Sequence, residues 1–332
     1  MMQQGVQGQE RQQRALAIEA HGLVKVFGDN RAVDGVDLSI PTGSIYALLG
    51  PNGAGKTTII NMLTTLLKPS GGSAKIFGHD VAKETQIVRQ LISVTGQSAA
   101  VDERLSATEN LTIFGMLLGL SKSQASKRAA ELLVEFGLEE AAKRTLEKFS
   151  GGMRRRLDLA SSLIIQAPLI FLDEPTTGLD PRTRVQMWES IRRMVASGST
   201  ILLTTQYLDE ADQLADRIAV IDHGRVVAEG TPRELKAAVG KATLNLSLAD
   251  EKEAPEAARI AEDVLRVKTS RPEANLVTAP MSDPDSVTDL LVALRNAKIR
   301  LATVSVQEPT LDEVFIALTG DGKDAQAGGA KA

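Results

Sequence analysis

A chain of 332 residues has room for one large domain or two ordinary ones, and 43% hydrophobic content suffices for a packed core. A formal net charge of −4 leaves no electrostatic footprint for nucleic acid, and the absence of cysteine excludes disulfides and thiolate metal sites. No apolar stretch is long enough to read as a membrane span; 111–120 and 163–172 are too short or are interrupted by polar residues.

Residues 1–14, rich in Gln, Gly and charge, lack the apolar core of a signal peptide and read as a disordered lead-in. Short alternating runs across 15–40, separated by Gly28-Asp29-Asn30, predict antiparallel strands. Phe27 beside that turn is open to two readings, a hydrophobic anchor or a ring placed to stack on a base. Ile45-Tyr46-Ala47-Leu48-Leu49 is a continuous apolar run, as in a strand buried on both faces.

That strand runs into Gly50-Pro51-Asn52-Gly53-Ala54-Gly55-Lys56-Thr57-Thr58, which fits GxxxxGK(S/T) at Gly50, Gly55, Lys56 and Thr57. The glycines let the backbone approach phosphate closely, with successive N–H groups turned into one concavity. Lys56 adds charge for the outer phosphates, and the Thr57 hydroxyl can ligate Mg²⁺. Ile59, Ile60, Leu63, Leu66 and Leu67 then fall at helical spacing. Strand, glycine loop and helix in this order place a helix N-terminus at the phosphate, which argues against a chance turn.

Further on, 73–77 predicts a strand, 84–90 a helix, and Leu91-Ile92-Ser93-Val94-Thr95 a buried strand ending at Gly96-Gln97. From 106 to 149 the pattern is helical and begins with a capping box, Ser106-Ala107-Thr108-Glu109. Ser150-Gly151-Gly152 places a hydroxyl and two glycines at a helix start, a second potential anion site, although the same triplet often marks a plain loop. The Arg154-Arg155-Arg156 run after it reads as a solvated face.

Residues 168–172 form another apolar strand, ending in Asp173-Glu174. Two acids at a strand end are common in isolation. Downstream of a phosphate loop they predict that Asp173 holds Mg²⁺, directly or through water, and that Glu174 polarises an attacking water. A helix over 182–197 and strands over 200–205 and 218–221 complete the alternation of a parallel α/β sheet. Gly50, Gln97, Asp173 and Gln206 each follow a strand end, where such sheets bind ligands, so they can converge on one nucleotide.

Past Gly230 the order predicted is a strand at 244–248, a helix at 255–264, strands at 265–268 and 275–278, a helix at 286–297 and a strand at 302–306. This is β-α-β-β-α-β, a ferredoxin-like order, with a closing helix at 310–318. The expected organisation is 1–14 disordered, 15–230 a nucleotide-binding domain with a helical subdomain at 98–160, 231–320 an accessory domain, and 321–332 a flexible tail.

The ordered motifs 50–58, Gln97, Ser150-Gly151-Gly152, Asp173-Glu174 and Gly178-Leu179-Asp180 resemble those of the nucleotide-binding subunits of ATP-binding-cassette (ABC) transporters, over about 15–230. The resemblance implies a P-loop NTPase core, α/β in class, with an antiparallel β subdomain and a helical subdomain. It implies ATP and Mg²⁺ as cofactors and an ATPase activity coupled to transport. Phe27 would then stack on adenine. Gln97 would touch Mg²⁺ and sense the membrane partner. Ser150, Gly151 and Gly152, with Asp180 nearby, would close the ATP site of a second copy. A separate integral-membrane permease and a peripheral place on the cytoplasmic face of the membrane are implied too.

Two positions depart from the family pattern. Phe149 and Met153 replace the ends of the LSGGQ signature, and Gln206 stands where the family has its switch histidine. A glutamine can donate an amide N–H to a γ-phosphate but cannot exchange a proton near neutral pH, so proton transfer is expected to rest on Glu174. The Thr204-Thr205-Gln206-Tyr207-Leu208 variant and the 308–315 segment are similar to the daunorubicin/doxorubicin-resistance group of bacterial exporters. The competing expectations are a soluble cassette ATPase without a transport role and a motor for a lipid or polysaccharide.

Overall fold

In the computed structural model, the structure describes residues 15–95, 102–240, 242–281, 283 and 285–319. The expected lead-in 1–14, Gln97 and the tail 321–332 lie outside these. The chain divides into two compact units at Pro232/Arg233.

In the first unit β1 (Leu16–Phe27) and β2 (Asn30–Pro41) form a hairpin, and β3 (Ile45–Leu49) leads into the glycine loop and helix α1 (Lys56–Leu63). β4 (Gly71–Ile76), β5 (His79–Asp80), α2 (Thr85–Leu91) and β6 (Ile92–Thr95) follow. Three helices come next: α3 (Ala107–Leu117), α4 (Lys122–Glu135) and α5 (Gly151–Ser162). β7 (Leu169–Asp173), α6 (Pro181–Ala196), β8 (Thr200–Thr205), α7 (Leu208–Leu214), β9 (Arg217–Asp222) and β10 (Arg225–Gly230) close the unit.

One sheet has the order β10-β9-β3-β8-β7-β6, parallel except for the β9–β10 hairpin. Every residue of β3, β7 and β8 is buried, and 45–49, 169–172 and 201–203 are accordingly apolar runs rather than alternations. A second, antiparallel sheet has the order β2-β1-β4-β5. Ile18 and Leu38 from it share one core with Tyr46, Phe171 and Ile221 of the first and with Ile60 of α1.

Side chains cap the starts of α3, α4, α5 and α6. Both halves of the capping box form at Ser106/Glu109, and a second box, Ser121/Gln124, opens α4. α1 ends sooner than its apolar spacing predicts. Thr65 takes a left-handed φ of 65°, and Leu66 is left 64% exposed beyond the turn.

The second unit contains β11 (Ala242–Leu248), α9 (Ala254–Leu265), β12 (Ser270–Glu273), β13 (Leu276–Met281), α10 (Asp285–Asn296), β14 (Leu301–Gln307) and α11 (Leu311–Thr319); α8 (Pro232–Val239) precedes them. Its sheet has the order β12-β13-β11-β14 and is antiparallel throughout, the ferredoxin-like arrangement. Leu244, Leu246, Ala257, Ala261, Val277 and Leu290 fill its core. The strand expected at 265–268 is not there. α9 continues to Leu265 and stops on Arg266 at φ 55°, and the strand is the exposed edge segment Ser270–Glu273. An edge strand exposed at all four residues has no apolar face to betray it.

Candidate nucleotide site

β3 delivers the chain to Gly50, whose N–H donates to the Thr205 carbonyl at 3.2 Å. A Cβ on Gly50 would lie 2.2 Å from the Ile221 carbonyl oxygen, so only glycine lets the loop leave the sheet here. Gly55, at φ 105°, sits where a Cβ would meet the Ala32 carbonyl oxygen at 2.5 Å. As N-cap of α1 it offers no side-chain cap, leaving the first-turn N–H groups for an anion.

Lys56 is 4% exposed. Its Nζ donates to the Gly50 carbonyl at 2.8 Å and to the Pro51 carbonyl at 3.0 Å, and lies 3.6 Å from Glu174 Oε1. Burial lowers its pKa, with Glu174 and then Asp173 opposing. A desolvated ammonium held this way is completed by anionic oxygens.

Across the cradle, the Thr57 hydroxyl donates to Asp173 at 3.1 and 3.2 Å. Asp173 also accepts the Thr204 hydroxyl at 2.5 Å through Oδ1. The Thr204 side chain accepts from the Glu174 N–H at 3.0 Å, so a single threonine registers both acids. Glu174 adopts φ 49°, a left-handed conformation unusual for a residue with a Cβ. Its Oε2 accepts the Thr177 hydroxyl at 3.2 Å.

A cavity of about 400 Å³ is lined by Phe27, Asn52, Gly53, Lys56, Thr57 and Glu174. Phe27 is 46% exposed, with the Lys25 ammonium 5.1 Å from its ring centre; it is no buried anchor. Ser150 does not line this cavity. It is the N-cap of α5 and accepts from the Met153 N–H at 3.3 Å. A larger cavity of about 530 Å³ lies beside that turn, lined by Gly151, Arg154, Arg155, Asp158, Glu174 and Leu179. Phe149 is buried, so the departure from LSGGQ at that end is a packing residue. Asp180 caps α6, accepting from the Thr183 N–H at 3.0 Å and hydroxyl at 2.7 Å. Gln206 follows β8 and is half-buried.

The arginine run is not a solvated face. Arg155 is turned inward and donates to the carbonyls of Asp173, Glu174 and Pro175. Arg156 reaches the Phe136 carbonyl at 2.9 Å, and Arg154 pairs with Glu103. Burial pushes the Asp158 carboxyl up to about 6, against the pull of Arg155.

One further acid was illegible. Glu210 on α7 is fully buried and accepts the Trp188 indole N–H at 3.2 Å through Oε1. Burial raises its pKa; the Thr205 and Thr176 hydroxyls and the indole oppose this more weakly.

A parallel sheet that carries a desolvated lysine and a carboxylate pair to one glycine cradle is the architecture of a P-loop nucleotide hydrolase. Residues 33–177 match the family described as ABC transporter, and 230–319 match the C-terminal domain of DrrA1-3-like ATP-binding proteins. The daunorubicin/doxorubicin resistance ATP-binding protein DrrA of Streptomyces peucetius is 54% identical over 309 residues, 93% of this chain and 94% of that protein. The linearmycin resistance ATP-binding protein LnrL of Bacillus subtilis (strain 168) is 36% identical over 305 residues, 91% of this chain and 98% of that one. The dimeric post-hydrolysis structure of the ATP-binding cassette MJ0796 bound to ADP and Pi matches with a TM-score of 0.60 and 26% identity, covering 64% of this chain and 98% of that one. The chain belongs to the ATP-binding subunits of ABC transporters, the DrrA-like group with its own C-terminal domain.

Proposed function

We propose that the chain is the ATP-hydrolysing motor of an antibiotic exporter, acting as two copies beneath a separate permease at the cytoplasmic face of the membrane. The carrying observation is likeness over nearly the whole chain, C-terminal domain included, to ATP-binding proteins named for daunorubicin/doxorubicin and linearmycin resistance. Among the described residues no helix is long and apolar enough to cross a membrane, which supports a permease on another chain.

In this reading the 50–58 loop binds the triphosphate, Lys56 meets its outer oxygens, and Phe27 stacks on adenine. Thr57 and Asp173 fit Mg²⁺, because a hydroxyl and a carboxylate are hard oxygen donors and here lie 3.1 Å apart. No cluster of three or more His, Cys, Asp or Glu suited to a metal occurs among the described residues, so water, phosphate oxygens and Gln97 would fill the other positions. Bound there, Mg²⁺ would neutralise charge on the phosphates. Glu174 takes a proton from water as its oxygen attacks the γ-phosphorus; the bond to the bridging oxygen breaks, leaving ADP and phosphate. Gln206 donates to the γ-phosphate. Ser150, Gly151 and Gly152, with Asp180, complete the site of the second copy, which suits a turn that lies outside its own chain's cradle cavity.

Co-expression with a candidate permease tests this. Expected are co-purification from membranes, ATP-dependent daunorubicin efflux, and an ATP-trapped dimer of Glu174→Gln. A Glu174→Gln chain that stays monomeric in ATP and retains no membrane partner would overturn it.

A further inference from the structure

Arg155 lies on α5, the helix opened by Ser150-Gly151-Gly152, yet its guanidinium ends behind the two acids of β7. Nη2 donates to the Asp173 carbonyl at 2.9 Å and to the Glu174 carbonyl at 3.1 Å, and Nε donates to the Pro175 carbonyl at 3.0 Å. Nη1 lies 3.3 Å from Asp158 Oδ2, one turn along the same helix, and the arginine side chain is only 15% exposed. One planar fork therefore collects three consecutive carbonyls.

These carbonyls belong to the turn in which Glu174 holds φ 49°. A residue with a Cβ stays in that region only when its surroundings over-determine it. On one side the Thr204 hydroxyl and carbonyl accept the Glu174 N–H, at 3.0 and 3.2 Å. On the other the fork takes the carbonyls. Only arginine offers several donors at fixed angles; lysine supplies a single point charge.

We propose that Arg155 is a positioning residue for hydrolysis: it ties the Asp173-Glu174-Pro175 turn, and so the Glu174 carboxylate, to the signature helix of the same chain. A shift of α5 as its N-terminus meets nucleotide is then passed through one side chain to the acid that faces water. Each copy thereby links the site it closes to the site it catalyses. This rests on the roles proposed above for Glu174 and Ser150.

Arg155→Met keeps the apolar stem and removes every donor; Arg155→Lys keeps the charge without the fork. The Met variant should lose about 10- to 100-fold in kcat, the scale of a small misplacement at a reacting centre, with KM for ATP held within about threefold. The Hill coefficient should fall toward one, and Arg155→Lys should be intermediate. If stranding Asp158 prevents the single variant from folding, Arg155→Met/Asp158→Asn removes that unpaired acid and is read in the same way. An unchanged kcat, or equal loss of affinity and turnover, overturns the inference. Failure of the underlying reading looks different: the wild-type chain itself would not hydrolyse ATP.

Discussion

Two helix N-termini in this chain are opened by glycines, and they are built differently. At α1 the cap position carries no side chain, and the buried Lys56 and the Thr57 hydroxyl that open the helix meet Glu174 and Asp173. At α5 the cap is Ser150, whose hydroxyl already accepts from the helix's own Met153 N–H, at a long 3.3 Å. The first turn keeps its N–H groups free of any side-chain cap. The second has a cap whose hydroxyl accepts from its own helix and keeps its O–H as a donor. Such an asymmetry suits a machine in which nucleotide is bound by one surface and then completed by another.

The largest effect should come from Glu174→Gln, with kcat falling by about 10²- to 10⁴-fold while ATP affinity is kept, measured by phosphate release and calorimetry. Brisk turnover would place the base elsewhere. Lys56→Ala should raise the Kd for ATP by about 10²-fold, since it removes the buried cation. Retained affinity would break the contrast, because the first turn would then not depend on its charge.

Ser150→Asp sharpens the contrast. Aspartate caps a helix as well as serine does, so thermal stability should hold, but its charge should repel a partner's triphosphate. Turnover is expected to fall about tenfold or more, with ATP affinity of the isolated chain unchanged; equal turnover would remove Ser150 from the chemistry.

The smallest effect is a pH dependence. The folded pKa of Asp158, about 6, is above the unfolded carboxyl, so the group favours the native state at low pH. That contribution is lost as pH rises from about 4 through 6. Asp158→Asn should abolish this slope and gain about 1–3 kcal/mol at pH 7 in urea unfolding; a wild-type curve with the same slope as the variant would refute it.

Legibility in the sequence followed physical constraint. The cradle was readable because close phosphate approach admits few residue types, and β3, β7 and β8 because burial on both faces demands apolar runs. β12 was missed because Ser270–Glu273 is exposed throughout. Arg155 was misread because the sequence shows three arginines but not which one turns inward. Thr204 was hidden in a strand whose threonines read as β-branched filler, although its hydroxyl binds both acids. Glu210 was masked by Asp209 and Asp212, which make its helix look like a solvated acidic start.

Trp188 is the chain's one tryptophan, and its indole is bound to Glu210, four residues past Gln206 on the adjoining helix. A displacement of that helix on nucleotide binding would alter the polarity around the one indole, which is buried. Indole emission, excited at wavelengths where the chain's two tyrosines do not absorb, is therefore a label-free readout of the helix that follows Gln206.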